Sequence, residues 1–146
     1  MCGIAGYASL LNNVNYEKLK TINTKPNTII KCGITNIIIN KKFTLNKKIN
    51  FNCKINKICI MLGGSDPLNY TLEIIKIINQ IVIDNGFTVF VIIGKSNNNV
   101  ESINDYIKNI NNYKCLYDLS YDDLIKLYLD VDLCIGSLSV TAYERY

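Results

Sequence analysis

The stretch KICIMLGGSDPLN, residues 57–69, contains the transition that decides the fold. Its apolar run, Ile58 to Leu62, is typical of a buried parallel strand, and Gly63 and Gly64 allow the chain to turn sharply or to approach a ligand closely. A long helical pattern begins soon after this turn. The sequence therefore predicts a strand, a glycine-rich turn and a helix whose N-terminal N–H groups and dipole favour an anion such as phosphate.

The turn itself matches neither common phosphate-binding motif. GGSDP is not GxGxxG, and it is not a Walker loop because no GK[ST] follows it. The alternative is an ordinary strand-to-helix turn in which Ser65 or Asp66 caps the helix. The local sequence leaves both interpretations open.

Strand and helix patterns alternate through the rest of the chain. Strands are predicted at 58–62, 87–93, 113–117 and 132–135, with helices at 70–84, 99–110 and 121–129. This alternation predicts an α/β fold with a doubly wound parallel sheet and right-handed crossovers. Gly63, Gly94 and Gly136 each follow a strand, so they are expected at the carboxyl edge of the sheet, where such folds bind ligands.

Composition excludes several classes of site. The chain has 146 residues, no histidine and six scattered cysteines without a CxxC pair, so an ordinary zinc site is not expected, nor is a cofactor.

The densest basic stretch consists of Lys41, Lys42, Lys47 and Lys48, but the only arginine is Arg145. We interpret that stretch as a solvated linker rather than a nucleic-acid surface. Asparagine clusters such as 97–99 are attributed to coding bias and given no functional weight.

The N-terminal part carries a second motif. The start, MCGIAGY, resembles class II glutamine amidotransferases, in which the cysteine exposed by loss of Met1 attacks the glutamine amide; Cys2 would be that residue. No arginine precedes Arg145 to hold the substrate carboxylate, so a glutaminase is the least favoured candidate.

No signal peptide and no membrane span are recognised in the sequence, and a cytoplasmic location is expected.

Four segments together resemble one family, the UDP-sugar hydrolases of pseudaminic acid biosynthesis (UDP-2,4-diacetamido-2,4,6-trideoxy-altropyranose hydrolases). They are ITNIIINKKF at 34–43, GGSDPLNYTLEIIK at 63–76, FTVFVIIGKSNNN at 87–99 and DLCIGSLSVTAYERY at 132–146. Their order and spacing agree with the family, and the likeness covers about residues 28–146. It implies half of a glycosyltransferase B-type fold, related to the N-acetylglucosaminyl transferase of murein synthesis.

The resemblance also implies a binding site. The Gly63–Ser65 turn would face the UDP diphosphate, Ser137 and Thr141 would lie in a second phosphate-facing loop, and Glu144 would bind the ribose hydroxyls. The full set of residues expected to contact substrate is Gly63, Gly64, Ser65, Asp66, Gly94, Gly136, Ser137, Thr141 and Glu144.

This sequence departs from the family at two points. Leu138-Ser139-Val140 replaces a Gly-Gly-Ser loop, and the family's N-terminal domain, with its catalytic histidine, has no counterpart here. We therefore expect residues 1–56 to be an extension and linker, and 57–146 to be an incomplete UDP-sugar-binding domain without catalytic residues or bound metal. Its expected partners are a UDP-linked sugar and either a second chain supplying the N-terminal domain or another copy.

An interaction or oligomerising module is the main alternative to that expectation. A sheet that ends after its fourth strand would leave apolar surface at its edge, which favours association with a partner or with a second copy.

Overall fold

In the computed structural model, the described residues are Ile39, 41–45 and 54–137. All of them belong to one compact unit, Ile39–Tyr146. Several predictions from the sequence lie outside the described residues, namely the Cys2 nucleophile, the Leu138–Val140 loop, Thr141 and Glu144.

Eight elements follow one another along the described ranges. They are α1 (Lys41–Leu45), β1 (Lys57–Met61), α2 (Tyr70–Asn85), β2 (Thr88–Ile93), α3 (Val100–Ile107), β3 (Tyr113–Tyr117), α4 (Tyr121–Asp130) and β4 (Leu133–Gly136). Apart from α1, which was not predicted, their boundaries agree with the predicted strands and helices to within a few residues. None of these helices combines the length and apolar character needed to cross a bilayer.

The strands form one parallel sheet in the order β3-β2-β1-β4. The run of apolar residues in β2 predicted a central strand, and β2 indeed lies between β1 and β3. The chain adds β2 and β3 on one side of β1 and then returns to place β4 on the other side. The strand order therefore reverses between β1 and β4, which is where open α/β sheets form their ligand crevice.

Helices cover both faces of the sheet, which makes it doubly wound as predicted. On one face, Ile58 and Ile60 of β1 pack with Ile75 of α2 and Ile103 of α3 in a single apolar cluster. On the other face, a second cluster joins strand residues to α4 and α1, with Cys59, Ile92, Leu124, Ile125, Leu127 and Phe43 at its centre. The alternation of Ile58, Cys59 and Ile60 between the two clusters is the two-residue period of a strand.

The amino ends of β1 and β4 are joined by a side chain. Asp132, just before β4, accepts hydrogen bonds of 2.9 Å from the backbone N–H groups of both Asn56 and Lys57. These two donors hold the pKa of Asp132 below its usual range, because they stabilise the ionised carboxylate. The pairing of β1 with β4 is thus fixed at the start of both strands.

Part of the segment predicted as a linker contributes to the core. α1 forms within the predicted linker 40–56, and Phe43 is only 7% exposed. Its ring centroid lies 6.0 Å from that of Tyr121 and 6.2 Å from that of Tyr128. The sequence gives no sign of this packing because one aromatic residue among lysines produces neither a helical nor a strand period.

We predict that Phe43→Ala lowers the free energy of unfolding by about 3 kcal/mol, because it removes a buried aromatic ring and leaves a cavity. Urea unfolding followed by circular dichroism measures the change. Leu68→Ala, at an exposed position, serves as the control and should change stability by less than about 0.5 kcal/mol. Equal, small effects of both substitutions would contradict the packing of α1 against α4.

Candidate functional site

The glycine-containing turns meet at the carboxyl edge of the sheet, as the sequence predicted. Gly63 and Gly64 follow β1, Gly94 follows β2, and Gly136 ends β4 directly beside Met61 in the parallel register. The edge on either side of the strand-order reversal is therefore lined by glycine backbone.

Gly64 and Gly94 are in close backbone contact. A Cβ atom at position 94 would lie 2.5 Å from the Cα atom of Gly64 and 2.6 Å from its carbonyl oxygen. Any side chain at position 94 would thus overlap the preceding turn, so only glycine fits without rearrangement. A Cβ atom at Gly64 would meet nothing within 4 Å. Gly64 is therefore free to accept a methyl group, whereas Gly94 is not.

The backbone of the first turn is itself unusual. Gly63 has a φ of 97°, a conformation that residues with side chains rarely adopt. Gly64 and Ser65 are exposed. Among the turn and loop hydrogen bonds that join described residues, none uses the N–H groups of Gly63, Gly64 or Ser65. These three donors are therefore available to solvent or to an anion.

Asp66 has a structural role in this loop. It is 5% exposed, and its carboxylate accepts hydrogen bonds from the N–H groups of Tyr70 (2.9 Å) and Thr71 (2.8 Å) at the start of α2. Asp66 thus supplies the capping hydrogen bonds that the sequence suggested, although the N-cap position itself is occupied by Asn69. A negative charge of the protein itself already faces the positive end of the α2 dipole.

Asparagine side chains connect the loop after β1 with the start of α3. Asn99 donates a 2.8 Å hydrogen bond to the carbonyl oxygen of Asp66, and Asn69 donates a 3.1 Å hydrogen bond to the hydroxyl of Ser102. These two bonds hold together the segments that carry the Gly64–Gly94 contact.

A third asparagine, Asn97, makes hydrogen bonds within the turn that follows β2. Asn97 is buried, accepts a 2.7 Å hydrogen bond from the N–H of Asn99, and donates its own N–H to the carbonyl of Gly94. These asparagines were not predicted as site residues, because the cluster at 97–99 was attributed to coding bias. The available signal was their position directly before a predicted helix, where side-chain amides often hydrogen-bond the backbone.

Titratable side chains of the core do not resemble activated catalytic groups. Burial raises the pKa of the Cys115 thiol and raises that of Tyr113 to about 12. Both shifts favour the protonated form, whereas a nucleophile requires the deprotonated one. Within the described ranges, no group of three or more acidic or cysteine side chains is arranged to hold a metal ion. Neither Tyr113 nor Cys115 is therefore a candidate nucleophile.

Comparison with protein-family models and with curated proteins gives no match to this chain. The resemblance to UDP-sugar hydrolases remains a prediction from the quoted sequence segments, and the function must be argued from the geometry of the carboxyl edge.

We predict that the same substitution, glycine to alanine, lowers the stability of the protein at Gly94 but not at Gly64. Gly94→Ala should lower the free energy of unfolding by about 1–3 kcal/mol, because the added methyl group overlaps the Gly64 backbone. Gly64→Ala should stay within about 0.5 kcal/mol of the wild type, since its methyl group enters open space. Urea denaturation of the two variants measures both values. Similar values for the two would show that the loops do not touch as described.

Proposed function

We propose that residues 57–146 belong to a UDP-sugar-binding domain, similar to the nucleotide-binding half of a UDP-sugar hydrolase of nonulosonic acid or polysaccharide biosynthesis. The observation that carries the proposal is the Gly64–Gly94 contact beside the strand-order reversal, with the turn of Gly63 and the exposed Gly64 and Ser65 next to it. The sequence resemblance supports the proposal independently of this geometry.

The turn has the chemistry that a diphosphate needs. Backbone N–H groups without side chains around them can approach phosphate oxygens closely, and successive N–H groups in a turn form an anion-binding concavity. The N–H groups of Tyr70 and Thr71 already bind Asp66. In our proposal, the diphosphate therefore contacts the N–H groups of Gly63, Gly64 and Ser65 rather than the first turn of α2.

The proposed role is binding without hydrolysis by this chain alone. The resembled family activates water with a histidine, and this sequence has none. A second chain carrying that histidine would complete an enzyme. Affinity for UDP is expected to be weak, near the millimolar dissociation constant that corresponds to about −4 kcal/mol.

We predict that titration with UDP shifts the amide NMR signals of Gly63, Gly64 and Ser65. The amide of Gly86 should stay unmoved, because it donates to Ile83 at the far end of α2. Gly64→Ala should weaken UDP binding by at least about tenfold, since its methyl group occupies the path of the phosphate and one well-placed charged hydrogen bond is worth that much.

Two controls make this titration specific. Gly86→Ala also adds one methyl group, but at the far end of α2, so UDP affinity should be unchanged. Separate titrations with inorganic pyrophosphate and with uridine show which part of UDP is bound. If the amide NMR signals of the Gly63–Ser65 turn do not shift at millimolar UDP, the binding proposal is excluded.

Self-association through α2 is a second candidate function, and it is favoured by a specific observation. Ile77 is 75% exposed and Ile81 is 58% exposed on the outer side of α2, and Tyr70 is also exposed. With the half-buried Ile74, these residues follow the alternating four- and three-residue spacing of a helix–helix seam. Because the same stripe on a second copy provides a partner with matching spacing, the occupant we propose is another copy of this chain.

We predict that the wild-type chain sediments as a dimer in analytical ultracentrifugation and that the double variant Ile77→Lys, Ile81→Lys sediments as a monomer. Charged groups cannot be buried in an apolar seam without a large desolvation penalty. Leu129→Lys is the matched control, because Leu129 is also an exposed apolar residue but lies on α4, on the other face of the sheet. A monomeric wild type would exclude this candidate.

A further inference from the structure

We propose that the thiols of Cys59 and Cys134 form a disulfide bond between β1 and β4 when the protein reacts with a low-molecular-weight disulfide such as oxidised glutathione. The two residues are direct partners in the parallel register of these strands. Both are present as thiols in this structure. The proposal is independent of UDP binding.

The pairing is compatible with the Cα separation of a disulfide. Neighbouring strands lie about 4.8 Å apart, and disulfide-linked residues have Cα atoms about 4.4–6.8 Å apart. Cys59 and Cys134 belong to the same apolar cluster, so their side chains lie on the same face of the sheet. A registered pair on one face places the two Cβ atoms side by side, about one strand spacing apart, so closing the bond requires them to approach to about 3.5–4.5 Å.

The exposure of the two thiols determines the order of the reaction. Cys59 is 0% exposed, whereas Cys134 is only partly buried. The Cys134 thiolate therefore attacks oxidised glutathione first, which gives a mixed disulfide and releases one glutathione thiolate. The Cys59 thiolate then attacks the Cys134 sulfur and releases the second glutathione thiolate. The two protons lost by the cysteines go to the two glutathione molecules, so the protein is oxidised by two electrons and the glutathione disulfide is reduced by two.

Cys115 provides an internal reference for this reaction. It is half-buried like Cys134, but it lies on β3 and belongs to the cluster on the opposite face of the sheet. Since β2 separates β3 from β1, Cys115 is about two strand spacings from Cys59, beyond the reach of a disulfide. Oxidation of the β1–β4 pair should therefore be selective.

The disulfide would link β1 and β4, the two strands on either side of the strand-order reversal. The pair lies two register positions before Met61 and Gly136, where both strands reach the carboxyl edge. A bond at this position would fix the separation of β1 and β4 below the Gly63 turn.

The test uses the full chain, treated with oxidised glutathione, alkylated under denaturing conditions and digested with trypsin without reduction. All six cysteines fall on different tryptic peptides, with Cys59 on 58–76, Cys115 on 115–126 and Cys134 on 127–145. We expect the main linked product to join 58–76 to 127–145, with a mass two hydrogen atoms below the sum of the reduced peptides. The Cys115 peptide should appear alone, alkylated or carrying one glutathione.

A single variant checks the proposed order of attack. In Cys134→Ser the linked product should disappear and Cys59 should be recovered in its alkylated form, because the buried thiol cannot reach glutathione. The proposal would be overturned if wild-type Cys134 were recovered as a stable glutathione adduct. It would also be overturned if Cys59 and Cys134 were both recovered as reduced thiols. A predominance of links from Cys59 to any other cysteine would also overturn it.

Discussion

At the carboxyl edge of the sheet, the backbone of Gly64 lies so close to Gly94 that a methyl group at position 94 would overlap it. This contact brings together two loops that begin on neighbouring strands, and the hydrogen bond from Asn99 to Asp66 holds them in place. Two peptide groups without side chains meet at this part of the edge, so backbone donors can approach a ligand closely there. The edge is therefore suited to binding through the backbone, whatever the ligand is.

The sequence predicted most of the fold because its signals are local. Apolar runs and the helical period each depend on a few neighbouring residues. The end of α2 is equally local, since Gly86 adopts the left-handed conformation typical of the residue after a helix. The parallel pairing followed from the strand–helix alternation. Which side of β1 receives β4 is not encoded by periodicity, and the packing of Phe43 against α4 depends on residues about 80 positions away.

The candidate site was predictable in its location but not in its internal contacts. Three glycines after three strands indicated the edge, whereas the close contact of Gly64 with Gly94 arises only when two strands are placed side by side. The asparagines were missed for a different reason. A chain rich in asparagine makes each one individually uninformative, so the structural roles of Asn97 and Asn99 were hidden by composition rather than by distance.

Asp66 determines how a phosphate group could bind at this edge. Its carboxylate satisfies the first N–H groups of α2, so a phosphate placed there would displace a buried cap and meet a like charge. Two unit charges about 6 Å apart repel by about 3 kcal/mol at an effective dielectric constant of about 20, and by less than about 1 kcal/mol in bulk water. A hydrogen bond from an N–H group to a charged oxygen returns about 1.5–3 kcal/mol. One such bond therefore only offsets the repulsion, and net affinity requires at least two donors from the Gly63–Ser65 turn acting together on a well-solvated phosphate.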